Sequence, residues 1–188
     1  MKGLTEKDLF ETYKKDVYKT CYFMLQHPAD AEDMCQDVFT SVFQCDWRQI
    51  EHLKTWLMRV TVNHCLNALK KSTRSQAKQR LLALNYTQGK EKAAETVVEE
   101  KESAKECQQL LSYLPGKMRA VVSLRFLNEY TLTEIADILN IPLGTVKSRL
   151  HKGLRQMKQM LEKEEKQQKK GGGKYGQGGA SFFSVFRR

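Results

Sequence analysis

Cysteine is scarce in this chain and ill-placed for chemistry. The five residues (Cys21, Cys35, Cys45, Cys65 and Cys107) are odd in number, scattered, and never form a CxxC pair. That argues against a disulfide framework or a cysteine zinc site and predicts free thiols in a reducing compartment. Proline is scarcer, at three residues in 188, so long helices meet few breaks. No apolar run reaches the length that crosses a bilayer. Over residues 1–25, Asp8, Glu11, Lys14 and Asp16 break up the apolar stretch that a secretory signal needs. Strand-like alternation long enough for a sheet is missing too. The sequence offers no nucleophile–base pair, metal cluster or phosphate loop. The neighbours His64 and Cys65 diverge by about 100° on a helix, so they do not face each other. Acid is the last shortage: 32 Lys and Arg stand against 22 Asp and Glu, a net charge of +10 with a pI near 9.4. An anionic partner follows, most simply nucleic acid, with an acidic membrane surface as the rival.

What is present centres on Thr131–Arg155, TLTEIADILNIPLGTVKSRLHKGLR. Thr131 with Glu134 three residues on predicts a capping box, and Ile135, Ala136, Ile138 and Leu139 an apolar face. Asn140 suits a left-handed stop, and Pro142 forbids continuation. A second helix is expected from about Leu143, with Val146, Leu150, Leu154 and Met157 facing the first. That leaves Lys147, Ser148, His151, Lys152 and Arg155 outside, flanked by Thr145 and Arg149. Between Ile141 and Met160 there are five basic residues and no acid. Such a pair of helices fits a helix-turn-helix that reads a major groove, with cations for phosphates and Ser and Lys for base edges.

Nearer the start, Thr5 and Asp8 offer a cap for a first helix, which must stop near Gln26 because of Pro28. A second helix is expected over about 29–43. Asp33, Gln36, Asp37 and Thr40 lie on its outer side. Over residues 1–45, eight acids outnumber five lysines. DNA would be repelled there, so the face suits a protein partner with basic residues or simply solvent. A loop follows, with Trp47 expected as an exposed aromatic. A third helix is predicted over about 53–71, with Arg59, Asn63, Asn67, Lys70 and Arg74 in a polar stripe and Lys71 beside it. From Trp47 to Arg80, eight bases face one acid.

Periodicity fades between Ser72 and Ala104, which reads as a linker. Further helices are expected up to Leu114 and over about 117–127. The expected fold is all-α: two small helical domains, 1–73 and 105–162, joined by a flexible linker at 74–104. A basic, Gly-rich tail covers 163–188, flexible by composition and ending in ASFFSVFRR. For that tail a membrane, a regulatory protein, a larger enzyme partner or no fixed role all stay open.

The order of four motifs resembles the extracytoplasmic-function (ECF) sigma factors of the sigma-70 family. They are DAEDMCQDVF (30–39), KTWLMRVTVNHCLNALKK (54–71), LSYLPGKMRAVVSLRF (111–126) and EIADILNIPLGTVKSRL (134–150). The resemblance implies a dissociable, non-enzymatic, cytoplasmic promoter-specificity subunit without cofactor or small-molecule substrate. It implies that Asp33, Gln36, Asp37 and Phe39 grip the β′ clamp helices of core RNA polymerase, and that the second domain meets the β flap. Trp56, Arg59, Val60, Asn63 and Asn67, with Lys70, Lys71 and Arg74, would face the −10 promoter element. The loop at 45–52 would help to capture a flipped base. Thr145, Lys147, Ser148, Arg149, His151, Lys152 and Arg155 would serve the −35 element, and an anti-sigma factor, possibly membrane-bound, would regulate the protein. Asn67 and Lys70 depart from the Asp and Arg of many members. Gly153 inside the recognition helix costs about 1 kcal/mol relative to Ala. Two other classes fit the residues: a helix-turn-helix regulator acting without polymerase, and an interaction protein that sequesters polymerase or an anti-sigma factor.

Overall fold

Capping chemistry sets where the helices begin. In the computed structural model, which describes residues 5–82 and 108–171 with side chains at 5–72 and 108–163, α1 spans Glu6–Leu25. The Thr5 hydroxyl accepts from the Asp8 amide at 3.2 Å, and the Asp8 carboxylate accepts from the Thr5 amide at 3.0 Å. Gln26 then turns left-handed at φ 68° and ends the helix. Pro28 opens α2, Pro28–Phe43, at the position where its missing N–H costs nothing. A single 3₁₀ turn, Trp47–Gln49, leads to α3, Leu53–Leu82.

The second group holds α4 (visible over 108–112), α5 (Gly116–Phe126), α6 (Leu132–Leu139) and α7 (Leu143–Gly171). Thr131 and Glu134 form the expected capping box, and Asn140 is left-handed at φ 50°. The described residues contain helices and no strand. Linker residues 83–107 and tail residues 172–188 lie outside the described residues, as do the side chains of Arg74 and Cys107. The third helix does not stop near Lys71: it continues through Leu82 into the stretch expected to begin the linker. Lys, Gln, Ala and Leu dominate residues 76–82 and are good helix formers, so weak periodicity there was not a helix end.

The two groups share a core. Leu9, Val17, Met24, Val38, Val42, Leu57 and Val62 of the first belong to one buried cluster with Val121, Leu124, Tyr130, Ile135 and Ile138 of the second. A smaller cluster joins Phe23 of α1 to Leu110, Leu111, Leu114, Val122 and Met157. Glycine allows two close approaches, one between the groups and one within the second. A Cβ at Gly116 would stand 3.1 Å from Leu69, and one at Gly153 would stand 3.0 Å from Val122. The glycine that weakens α7 as an isolated helix is therefore what seats it on α5.

Two expectations need correcting. Phe39 is not an exposed contact residue: it is 2 % exposed and packs edge-on to Phe10 at 4.8 Å. It stands beside Val38 on the inner side of α2, both buried. Trp47 is also buried rather than displayed, at 2 % exposure. It anchors its loop from beneath, and the exposed Arg48 guanidinium lies 4.6 Å from its ring centroid.

Candidate nucleic-acid interface

The first half of α7 is positioned by the turn that precedes it. Pro142 accepts from the Thr145 and Val146 amides at 2.8 and 3.2 Å, which starts the helix directly after the left-handed Asn140. Val146 and Met157 are buried and Leu150 half-buried, so the opposite side faces outward. Lys147, Ser148, His151, Lys152 and Arg155 are all exposed there, and Thr145 and Arg149 are half-buried at its margins. Ser148 donates to the Thr145 carbonyl at 3.0 Å, which holds its hydroxyl in place with its acceptor capacity intact. Among the described residues none of these cations makes an ion pair.

The polar stripe of α3 is split. Asn63, Asn67, Lys70 and Lys71 are exposed. Arg59 is not free. Its Nε donates to the Ile138 carbonyl at 3.2 Å and a terminal nitrogen to the Asp137 carbonyl, both at the C-terminal end of α6. That end carries partial negative charge, as a phosphate carries full negative charge, so one guanidinium can serve either. Nearby, the Lys54 ammonium lies 5.3 Å from the Tyr130 ring centroid and 4.0 Å from Asp16.

More bonds close the same seam. Lys19 donates to the Leu127 carbonyl. Tyr22 donates to Gln108 at 2.8 Å, and Gln108 donates to the Gln26 carbonyl at 2.9 Å. Arg119, 8 % exposed, donates four hydrogen bonds: to the carbonyls of Leu111, Ser112, Leu114 and, across the seam at 2.6 Å, Met24. Burial holds its pKa below the ordinary value, yet no carboxylate is needed because carbonyl dipoles surround it. Sequence reasoning missed this residue. The signal was a lone arginine inside the apolar run MRAVV. Two atoms at the seam, Asn128 Nδ2 and Tyr130 OH, are buried without a hydrogen-bond partner.

The outer side of α2 keeps its acids available. Asp33, Gln36 and Asp37 are exposed, and neither aspartate is paired with a cation among the described residues. The buried thiols are packing groups: Cys21 and Cys65 sit 3.8 Å apart with no exposure, while Cys45 is exposed. Their contact and their burial push the Cys21 thiol far up, and burial raises Cys35 to about 11.

Two family models match this architecture: sigma-70 region 2 over residues 9–75 and sigma-70 region 4 over residues 110–159. The ECF RNA polymerase sigma factor SigW of Bacillus subtilis is 32 % identical over 163 residues, covering 82 % of this chain and 87 % of SigW. The chain belongs to the ECF sigma factors. SigX of the same organism is 24 % identical, covering 82 % of each chain. The fold of this sigma factor also matches the sigma factor RpoE solved with the anti-sigma factor NepR from Bartonella quintana. That match has a TM-score of 0.60 at 16 % identity and covers 83 % of this chain and 96 % of RpoE. Region 2 of this ECF sigma factor thus takes in α1–α3 as far as residue 75, and region 4 takes in α4–α6 and α7 as far as residue 159.

Proposed function

We propose that this sigma factor binds core RNA polymerase through Asp33, Gln36 and Asp37, reads the −35 element with α7, and engages the −10 strand with α3. The observation that carries the reading is the separation of charge. One helix displays unpaired acids, another displays unpaired bases, and both are exposed on opposite groups of the fold. Lys147, Ser148, His151 and Lys152 would meet base edges, with Thr145, Arg149 and Arg155 on phosphates or in support. Asn63 and Asn67 would hold unstacked bases while Lys70, Lys71 and Arg74 hold the backbone. Edge bonds and stacking then offset the few kcal/mol that unstacking costs. Phe39 contributes by keeping α2 seated rather than by touching polymerase.

Arg59 joins the −10 surface only after α6 withdraws. Binding of core polymerase would drive that separation, and the second group would then reach the β flap and the −35 duplex. An anti-sigma factor that favours the closed arrangement would oppose it. The protein would act in the cytoplasm, where polymerase and promoter are; no described helix is long and apolar enough to cross a membrane. A stand-alone helix-turn-helix regulator leaves the acidic α2 and the region 2 match without a role.

Run-off transcription with core polymerase and host promoter fragments tests the reading. Discrete transcripts should appear and should vanish with Asp37→Arg. Stable binding to core without any transcript would support a sequestering protein instead.

A further inference from the structure

Two features remain unexplained: the sequence FFSVFRR near the end of the chain, and a groove beside the acidic side of α2. The groove measures about 260 Å³ and lies between α2 and the middle of α3. Leu25, Met34, Ala68 and Leu69 give it apolar walls, and Asp30, Asp33 and Asp37 rim it with no base among the lining residues. Drug-sized ligands take roughly 300–1,000 Å³, so the groove suits one or two side chains of a peptide. We propose that residues 181–188 of this same chain dock in it, with phenylalanines on the apolar walls and Arg187 and Arg188 against the aspartates.

Charge and reach argue for this occupant. From Gly172 to Arg188 the chain carries Lys174, Arg187 and Arg188, three phenylalanines, and no acid. Guanidinium forks suit carboxylates, and apolar stems beside an acid rim suit adjacent aromatic residues. Met160 and Leu161 of α7 belong to the same cluster as Tyr22 and Phe23 near the end of α1. Leu25, less than one turn further, lines the groove. From Leu161 the helix runs on to Gly171, about 15 Å. Residues 172–180 can span about 30 Å when extended, enough to return. The groove shares Asp33 and Asp37 with the proposed polymerase-binding surface. On that reading, the docked segment competes with core polymerase.

The test uses the full chain without polymerase, with a benzophenone photocrosslinker in place of the Phe183 side chain. Crosslinks should map to segments 25–37 or 65–72. The double change Asp33→Arg and Asp37→Arg should cut their yield roughly fivefold, as loss of about 1 kcal/mol of ion pairing does. An unchanged helical circular dichroism spectrum would show that this variant is folded. Crosslinks elsewhere, none at all, or a yield indifferent to the aspartates would overturn the proposal. So would capture of the segment by anionic phosphatidylglycerol vesicles with no crosslink in their absence. A separate measurement of core binding by the Phe182→Ala, Phe183→Ala, Phe186→Ala variant reads the competition. If core binds neither chain, the functional reading fails, while the crosslink still decides the docking.

Discussion

Arg119 spreads one charge over four carbonyls, and one of them belongs to the other group of helices. Arg119→Leu keeps the apolar stem's bulk but takes the guanidinium from those acceptors, of which Leu111 keeps a second partner, the Leu114 amide at 3.0 Å. Each buried orphan costs about 1–3 kcal/mol, and water reaches some of them, so a loss of roughly 3 kcal/mol should appear in urea melts. A smaller effect belongs to the Thr131 cap: Thr131→Ala should cost about 1 kcal/mol. Its partner Glu134 has a pKa below the ordinary value, first because the Thr131 amide donates to it and then because the Thr131 hydroxyl does. A depressed carboxylate stabilises the fold above its unfolded pKa and loses that contribution as pH falls through the folded one. Melting temperature followed from pH 7 downward should therefore fall less in Glu134→Gln than in the parent chain, because the variant has no such contribution to lose. Asp8, held down by Thr5 in the same way, should behave alike.

At the scale of the element, α7 opposes helix propensity to packing. Gly153→Ala gains about 1 kcal/mol of propensity. Its new methyl would meet Val122, 2 % exposed, at 3.0 Å, and overpacking costs about 1–3 kcal/mol. Packing should win, leaving the variant less stable in urea melts. Val122→Ala should then be milder in the Gly153→Ala background than alone, a coupling that a double-mutant cycle measures. Helix starts and stops were legible because they are local: Thr5–Asp8, Pro28, Thr131–Glu134 and Asn140 each act within one turn. The outer side of α7 was legible for the same reason, since Val146 and Met157 fix which way the bases point. Trp47 was misread because apolar surface looks the same in sequence whether it is displayed or buried. Arg59 stands on the polar stripe as expected, but its bond to α6 joins residues 79 apart, and no periodicity reports a contact at that range.

The whole molecule balances closure against release. The bonds across the seam contribute about 0.5–1.5 kcal/mol each, and the buried orphans Asn128 Nδ2 and Tyr130 OH cost about 1–3 kcal/mol each. The orphans take back part of what the bonds contribute, and shared apolar burial adds to what is left in holding the seam shut. Lys19→Ala with Gln108→Ala removes seam bonds without touching the proposed DNA surface. Small-angle scattering should show a larger radius of gyration, and a −10 single strand should bind this variant more tightly than the parent chain. An unchanged radius with unchanged strand affinity would mean that the seam does not gate α3. The length of α3 adds a mechanical side to this balance. Thirty residues of helix make a rod of about 45 Å. Its packed residues run from Leu53 to Leu69, so Leu82 stands about 20 Å beyond the last packed turn. Any tilt of the bundle is therefore enlarged at Leu82, the tip of a crank arm that the globule itself turns.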